Sequence, residues 1–257
     1  MFYQLKRHPF PVRAYFDSTF VLAYALPAEI LQPLLRPGLE LDRYENFGFV
    51  AIALVQTRDL RPAFLPRGFG QSFFLSGYRI FARYRTWQGR NLRGLQILRS
   101  DTDKPLMKCA GNWLTHYNYQ LARVDLERND TALTIDIRTP RAEADLRVVA
   151  DLNEAPLPAD SPFPDLETAR KFAGPLPYTF DYEAQTNSMI LVKGVRKTWS
   201  PRPVSARVEK CTFFDAPQFQ GAHPVLANAF YLENVPYLWE KGRREALTTG
   251  LPTEVSQ

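Results

Sequence analysis

Short apolar runs of β type, separated by turn signals, recur along most of this 257-residue chain. Two such runs, 78–87 and 92–100, flank a Gln-Gly pair that ends at Gly89, which predicts a hairpin. The runs LARVDLER and ALTIDIRT alternate around Asn129 and predict a second hairpin. We count about nine or ten strands in all. Because strands follow strands without a regular strand-helix alternation, the order excludes a Rossmann-type fold.

Three helical segments interrupt the strands, and all are short. The stretch LPAEILQPLLRPG predicts a helix that Pro33 kinks or splits. Residues 106–121 carry apolar side chains at three- and four-residue steps, which predicts a helical turn leading into a strand. Asp165 as N-cap and Gly174 at the end predict a helix over 165–174. The patterns predict one mainly β (α+β), predominantly antiparallel domain over 1–247, followed by a flexible tail over 248–257.

Composition narrows the class of protein. A hydrophobic content of 45%, with 18 Phe and 12 Tyr, supplies enough apolar surface for a core. No run of 18 apolar residues occurs, so we expect no membrane partner. Cys109 and Cys211 form no Cys-x-x-Cys pair, which favours a reducing cytoplasm. The net charge of +5 is scattered, and we expect no nucleic-acid partner.

Several chemistries lack their sequence signals. His8, His116 and His223 form no His-x-x-x-His pair, so we expect no metal site. The pair Gly68 and Gly70 lacks the remaining residues of a phosphate loop, and we expect no cofactor. A Gly-x-Ser-x-Gly nucleophile elbow is absent, so a serine hydrolase would need a catalytic triad whose residues are dispersed along the chain.

A nucleophilic lysine needs no long motif, only desolvation or a cationic neighbour that lowers its pKa. Lys193 lies in the run MILVKGV, on the alternating face of Met189 and Leu191, and Lys108 lies in the helical segment. A buried Lys193 suits imine chemistry. The more common alternative is a strand-edge lysine whose amine reaches solvent.

Four stretches occur in an order that resembles a known family: LPAEILQPLLRPGLELDRYENFGFVAIALVQTRDLRP, ILRSDTDKPLMKCAGNWLTHYNYQLARV, VRKTWSPRPVSARVEK and NAFYLENVPYLW. They resemble the YqjF-like family of the acetoacetate decarboxylase-like superfamily, a domain family of unknown function. The resemblance spans nearly the whole chain. It implies a large, strongly curved antiparallel β-barrel or cone with short peripheral helices and an enclosed cavity.

The resemblance also identifies where catalytic groups of the superfamily would lie. Its decarboxylases carry a Gly-Phe-Pro-Lys-Lys segment that supplies a Schiff-base lysine and a second lysine beside it. That segment aligns with 116–122, which reads HYNYQLA and holds no lysine. The cavity glutamate of the superfamily aligns near 76–79, which reads Ser-Gly-Tyr-Arg. Both departures disfavour Schiff-base decarboxylation.

The candidate cavity residues present a cation, an imidazole or a phenol; they are Tyr78, Arg79, His116, Tyr117, Tyr119, Lys193 and Arg196. Neighbouring side chains diverge, so 116, 117 and 119 cannot all face one way. A helical segment would pair His116 with Tyr119, whereas an extended one would pair Tyr117 with Tyr119. We predict extension from Tyr117 onward, with both tyrosines in the cavity.

Three functional hypotheses remain. The first is a barrel that binds a small organic ligand with a carbonyl or carboxylate group in its cavity. The second is a lyase or hydro-lyase acting on a small keto acid, with His116 and Tyr119 or with Lys193 as its working groups. The third is a structural subunit, and a homo-oligomer fits any of the three. No catalytic residue is assigned.

Overall fold

The computed structural model describes residues 2–174 and 176–247. The strands are β1 (Val12–Pro27), β2 (Leu39–Leu41), β3 (Phe47–Pro62), β4 (Gln71–Arg85), β5 (Asn91–Thr102), β6 (Tyr119–Leu121), β7 (Arg123–Arg128), β8 (Ala132–Arg138), β9 (Leu146–Glu154), β10 (Tyr178–Glu183), β11 (Ser188–Arg196), β12 (Arg202–Cys211), β13 (Val225–Trp239) and β14 (Arg243–Ala246). The helices are α1 (Ala28–Leu31), α2 (Pro105–Leu114) and α3 (Leu166–Arg170). Short 3-10 segments cover Phe2–Arg7, Gln32–Leu34, Arg67–Phe69, Ala184–Thr186, Thr212–Asp215 and Pro217–Phe219.

Seven strands close into a ring. From β11 the order runs through β10, β5, β4, β3 and β1 to β13. Residues 194–196 of β11 then pair with 237–239 of β13, which closes the circle. Most pairings are antiparallel, and β5 alone makes parallel pairs, with β10 and β6. The large curved and predominantly antiparallel sheet that the sequence predicts is confirmed.

Each face of the ring strands packs in its own core. Along β3, Val50 and Ile52 pack with the extension β12-β9-β8-β7, which continues from β13 and covers the outer face. Ala51 and Val55 point to the opposite face of β3 and belong to a second core inside the ring. This strict alternation follows from the pleat of a strand, whose successive side chains point to opposite sides.

The helices and hairpins follow the sequence patterns. The first helical segment splits as Pro33 requires, because the α-helical hydrogen bonding of α1 gives way to a 3-10 turn over Gln32–Leu34. Asp165 caps α3 by accepting a hydrogen bond from the Thr168 backbone nitrogen at 2.7 Å. The hairpins β4-β5 and β7-β8 form where predicted. No helix in the described part of the chain is long and apolar enough to span a membrane.

The strand count was too low because β2, β9, β10, β13 and β14 escaped prediction. No strand was predicted after residue 214, which was wrong, because β13 pairs with β1 over most of its length. Its sequence contains Asn234, at φ 58°, and Pro236, which local rules associate with turns. Pairing with β1 on one side and β11 on the other overrides those preferences. The expected tail, 248–257, lies outside the described residues.

Candidate functional site

The inside of the ring is filled at one end and hollow at the other. At the filled end Phe49, Phe163 and Phe172 pack together with ring centroids 4.4 to 5.3 Å apart. Further along the same strands, Val55 and Leu75 face a cavity instead. This cavity is the candidate functional site.

The cavity has two lobes. The first, here called the polar lobe, has a volume of about 40 Å³ and includes Arg79 and Tyr237 in its wall. The second, the apolar lobe, has a volume of about 100 Å³ and lies beneath α2 and residues 8–12. The two adjoin, because four side chains lie in the walls of both: Leu75, Tyr117, Tyr119 and Trp239.

Arg79 is the charged group of the polar lobe. The register between β4 and β5 shifts between Tyr78 and Arg79, and such a bulge re-aims a side chain. Gly77 provides the space, since a Cβ there would lie 2.7 Å from a guanidinium nitrogen of Arg79. Part of the surface of Arg79 is accessible. Because protein encloses the residue and Arg79 lines the polar lobe, this accessible surface faces the cavity.

The electrostatics of Arg79 are unusual for an interior arginine. Burial lowers its pKa, and the neighbouring phenols of Tyr237, Tyr119 and Tyr117 oppose that effect. Its Nε atom is buried and has no hydrogen-bond partner among the residues that the structure describes. No carboxylate in the described ranges lies within 4.0 Å to form an ion pair with it. A buried cation without an anion is costly, so this arrangement suits an anionic ligand.

Tyr117 and Tyr119 enter the cavity from the segment after α2. The helix ends at Leu114, and Asn118 adopts a left-handed φ of 52° before β6 begins. Asn112 holds the turn: its side chain accepts a bond from the Tyr119 nitrogen at 2.7 Å and donates one to the Tyr119 oxygen at 2.8 Å. Gly111 lies directly against the Tyr119 ring, where a Cβ would collide. Both tyrosines line both lobes, but the left-handed Asn118 between them means that the chain is not continuously extended from Tyr117 onward, contrary to the prediction.

The phenols differ in their surroundings. Burial raises the pKa of Tyr119 to about 12, and Arg79 opposes the rise. Burial, and to a smaller extent the charge of Asp181, raises the pKa of Tyr117 well above its usual range. The Tyr117 hydroxyl is buried and lacks a well-formed hydrogen bond within the described chain, although Thr179 lies close to it. These phenols are neutral donors at neutral pH, which suits an oxygen of a ligand held by Arg79.

Tyr237 completes the polar lobe from β13. Its hydroxyl lies against Gly194 of β11, where any side chain would collide with it. Burial raises the pKa of Tyr237, and the guanidinium groups of Arg196 and Arg79 oppose the rise. The position belongs to a strand that sequence analysis missed, so Tyr237 was not among the candidates.

Asp181 is a second residue that sequence analysis missed. It lies on β10, two residues from the wall residue Thr179, and is 6% exposed. Burial raises its pKa to about 7, and Arg36 opposes the rise. The same carboxyl raises the pKa values of Tyr117 and Tyr119, which places its charge beside the cavity. The alternation Thr-Phe-Asp-Tyr-Glu was the available signal for β10.

Four predicted site residues lie outside both lobes: Tyr78, Lys193, His116 and Arg196. Tyr78 faces the outer core, where its ring stacks on Phe213 at 4.3 Å and its hydroxyl donates to the Ala144 oxygen at 3.1 Å. Lys193 is exposed, with its Nζ 3.7 Å from Glu240, so the strand-edge alternative describes it. His116 is half-buried and absent from the walls of both lobes.

His116 and Arg196 lie near the cavity but outside both lobes, and their surroundings differ. His116 has its pKa lowered by burial and by Lys6, while Glu183 opposes that change. Arg196 stacks over the Trp199 ring at 4.5 Å and lines an outer groove. Of the seven predicted site residues, the polar lobe therefore brings together Arg79, Tyr117 and Tyr119, with Arg196 close to its Tyr237.

The walls limit what chemistry the cavity can support. No lysine belongs to the wall of either lobe in the part of the chain that the structure describes. No group of three His, Cys, Asp or Glu side chains that could hold a metal ion occurs within 2–174 and 176–247. The arrangement instead offers one guanidinium and three phenols for binding, with one buried carboxyl close by.

Comparison with known proteins agrees with this architecture. The DUF2071 family, described as an uncharacterized conserved protein, matches residues 13–236. No curated protein matches the chain. Acetoacetate decarboxylase from Legionella pneumophila is similar in structure, with a TM-score of 0.61 at 16% identity, covering 93% of this chain and 88% of the decarboxylase.

Two further solved structures are similar. The enduracididine biosynthesis enzyme MppR, solved in complex with pyruvate, has a TM-score of 0.61 at 13% identity over 92% of this chain and 90% of its own. An acetoacetate decarboxylase-like enzyme from Sphingomonas wittichii RW1 has a TM-score of 0.55 at 14% identity over 91% of this chain and 92% of its own. At such identities the likeness establishes the fold. The chain belongs to the DUF2071 family and has the fold of the acetoacetate decarboxylase-like enzymes.

Proposed function

We propose that this protein binds a small organic carboxylate in the polar lobe, with the carboxylate on the Arg79 guanidinium. The observation that supports the proposal is the unpaired, buried charge of Arg79. A carboxylate is the planar anion that a guanidinium binds through two parallel hydrogen bonds. Phenols of Tyr119 and Tyr237 are placed to donate to a second oxygen of the ligand. MppR, which shares the fold, has been solved with pyruvate.

Binding in this proposal involves no Schiff base. The wall residues of the described chain supply no amine, and Lys193 is exposed beside Glu240. Borohydride treatment with pyruvate, followed by intact mass measurement, is expected to leave the mass unchanged. An adduct of one pyruvate would contradict this part of the proposal.

The direct test is a titration of the protein with pyruvate. Arg79→Gln is expected to weaken binding at least about tenfold, because it removes a charge-assisted pair of hydrogen bonds. Arg85→Gln, at an exposed position on the same strand β4, is the matched control and is expected to bind as the parent does. Equal affinities for the parent and Arg79→Gln would refute the proposal.

A second candidate is an enzyme that moves a proton on a small keto acid. Asp181 supports it, because a buried carboxyl with a pKa of about 7 suits acid-base chemistry near neutral pH. In this candidate Asp181 and Tyr117 transfer the proton, a role that the sequence had suggested for His116 or Lys193. Exchange of the pyruvate methyl protons into deuterium oxide, followed by proton NMR, tests it. Exchange that persists unchanged in Asp181→Asn would exclude that residue.

Other expectations from the sequence stay predictions. They are one domain over 1–247, a cytoplasmic location, a possible homo-oligomer and the lack of a nucleic-acid partner. Limited proteolysis tests the first, because two stable fragments split near the centre would contradict it. Native mass spectrometry tests the third.

A further inference from the structure

The apolar lobe is larger than the polar lobe and has a different chemistry. Its volume is about 100 Å³, compared with about 40 Å³. Its wall is made mostly of apolar side chains from three places: residues 8–12, the facing strands β3 and β4, and α2. Phe73, Leu75, Met107 and Leu114 are representative. A ligand the size of pyruvate, held at Arg79, leaves this lobe unused.

The apolar lobe presents no charge to an occupant. His8 is its one ionisable group besides the phenols of Tyr117 and Tyr119 in the described chain. Burial lowers the pKa of His8 to about 4, so its imidazole is neutral at neutral pH. Thr57 contributes a hydroxyl, and neither that oxygen nor His8 Nδ1 has a hydrogen-bond partner in the described ranges.

The two lobes adjoin at four shared side chains. Leu75, Tyr117, Tyr119 and Trp239 separate them and belong to both walls, so an occupant passing between these side chains has Arg79 at one end and the apolar wall at the other. Phe10 and Ala110, which line the apolar lobe but not the polar lobe, are half-buried, which indicates that the apolar lobe opens beneath α2.

We infer that the ligand is an amphipathic monocarboxylic acid whose carboxylate lies on Arg79 and whose apolar body fills the lobe beneath α2. The inference rests on the proposed function, because Arg79 supplies the site for the carboxylate. An apolar protein cavity of about 150 Å³ holds the six carbons of benzene, so the apolar lobe, at about 100 Å³, suits a body of roughly four carbons. A dicarboxylate of equal length does not suit it, since its second charge would lie among apolar side chains.

The test compares four probes: acetate, hexanoate, adipate and 1-hexanol. Each is titrated into the intact protein and followed by calorimetry or by ligand-observed NMR. Each buried methylene strengthens binding about fourfold, so hexanoate, which has four methylenes more than acetate, is expected to bind roughly 200- to 250-fold more tightly. Adipate and 1-hexanol are each expected to bind at least about tenfold more weakly than hexanoate, because one brings a second charge and the other lacks the first.

A variant that fills the lobe adds a second line of evidence. Ala110→Phe places a large side chain in the wall of the apolar lobe and is expected to reduce hexanoate affinity to that of acetate. Cys109→Phe, at the neighbouring exposed position on α2, is the matched control and is expected to leave both affinities unchanged. If Ala110→Phe fails to fold, the four-probe series on the parent protein still decides the matter.

The outcomes separate the two proposals. Equal affinities for acetate and hexanoate, both lost in Arg79→Gln, would overturn this inference and leave the proposed function standing. Failure of every carboxylate to bind would overturn both. Hexanol binding as tightly as hexanoate, with no effect of Arg79→Gln, would show that the apolar lobe acts without Arg79 and would also overturn the inference.

Discussion

Buried charge is found at Asp42 and at Arg79, and the two sites differ in their partners. Asp42 is fully buried and accepts a hydrogen bond from each of two partly exposed arginines, Arg83 and Arg93, at 2.8 Å from Arg83 Nε. Arg79 lies four residues before Arg83 on β4, is enclosed by protein, and has phenols for neighbours in place of a carboxylate. Burial of a charge without a counter-charge is costly. The unpaired Arg79 therefore supports the proposed carboxylate site.

The largest effect is expected at the paired site. Asp42→Ala removes two charge-assisted hydrogen bonds, each contributing about 1.5 kcal/mol, and is expected to lower the free energy of unfolding by about 3 kcal/mol. Asp17→Ala, which removes an exposed pair with Arg58, is the control and is expected to change it by less than about 0.5 kcal/mol. Urea unfolding followed by circular dichroism measures both. Equal losses in the two variants would show that the ion pairs of buried Asp42 stabilise the protein no more than the exposed pair of Asp17 does.

Removal of the Arg79 charge, which has no anionic partner, is expected to stabilise the protein. Arg79→Met removes a buried charge with no partner and is expected to raise the free energy of unfolding by about 1 to 3 kcal/mol in the absence of carboxylates. The same variant is expected to lose pyruvate binding. Arg85→Met, exposed on the same strand, controls for the loss of a positive charge. Marked destabilisation by Arg79→Met would mean that this arginine serves the fold, as Arg83 does.

The pH dependence of stability tests the buried carboxyl beside the polar lobe. In the folded protein the pKa of Asp181 is raised to about 7, so the folded state holds a proton that the unfolded state releases near pH 4. Stability from this group is therefore present below about pH 4 and is lost as the pH rises through about 7. Asp181→Asn is expected to stabilise by about 1 to 2 kcal/mol at pH 8 and to have little effect at pH 4. A pH-independent difference would contradict the raised pKa.

The smallest effect concerns the two tyrosines after α2. Tyr119→Phe is expected to weaken pyruvate binding by about 0.5 to 1.5 kcal/mol, the loss of one hydrogen bond, with an unchanged fold. His116→Ala, three residues earlier and outside both lobes, is expected to bind normally. The reverse result would identify the histidine as the group that reaches the ligand.

Much of the architecture was predictable because its signals are local. The hairpins β4-β5 and β7-β8 are specified by alternation on either side of a turn residue, such as Gly89 at φ 79°. The split of the first helix follows from Pro33 alone. The direction of Tyr117 and Tyr119 was predicted from the alternation of the run LARVDLER just after them, together with the resemblance to the decarboxylases, whose lysine lies where the chain enters a strand. Each of these features depends on residues close in sequence.

The missed parts depend on pairing across long sequence distances. Tyr237 and Asp181 lie on β13 and β10, and each strand is held by partners far away in the chain, such as β1 and β5. Tyr78 belongs to the segment 76–79 that aligns with the cavity glutamate of the superfamily, but neighbouring strand residues point to opposite faces, so Tyr78 and Arg79 cannot both face the cavity. Lys193 continues the face of Met189 and Leu191, but those two pack in a core outside the cavity and Lys193 lies beyond its edge.

A crystal structure of the protein with hexanoate tests the central claim most directly. The account predicts density for one molecule, with its carboxylate oxygens about 2.7 to 2.9 Å from the Arg79 guanidinium nitrogens and its chain beneath α2. Soaking the Arg79→Met variant under the same conditions is expected to leave the polar lobe without that density. A carboxylate bound at Arg196 or Lys193, with Arg79 making no contact to it, would contradict the account.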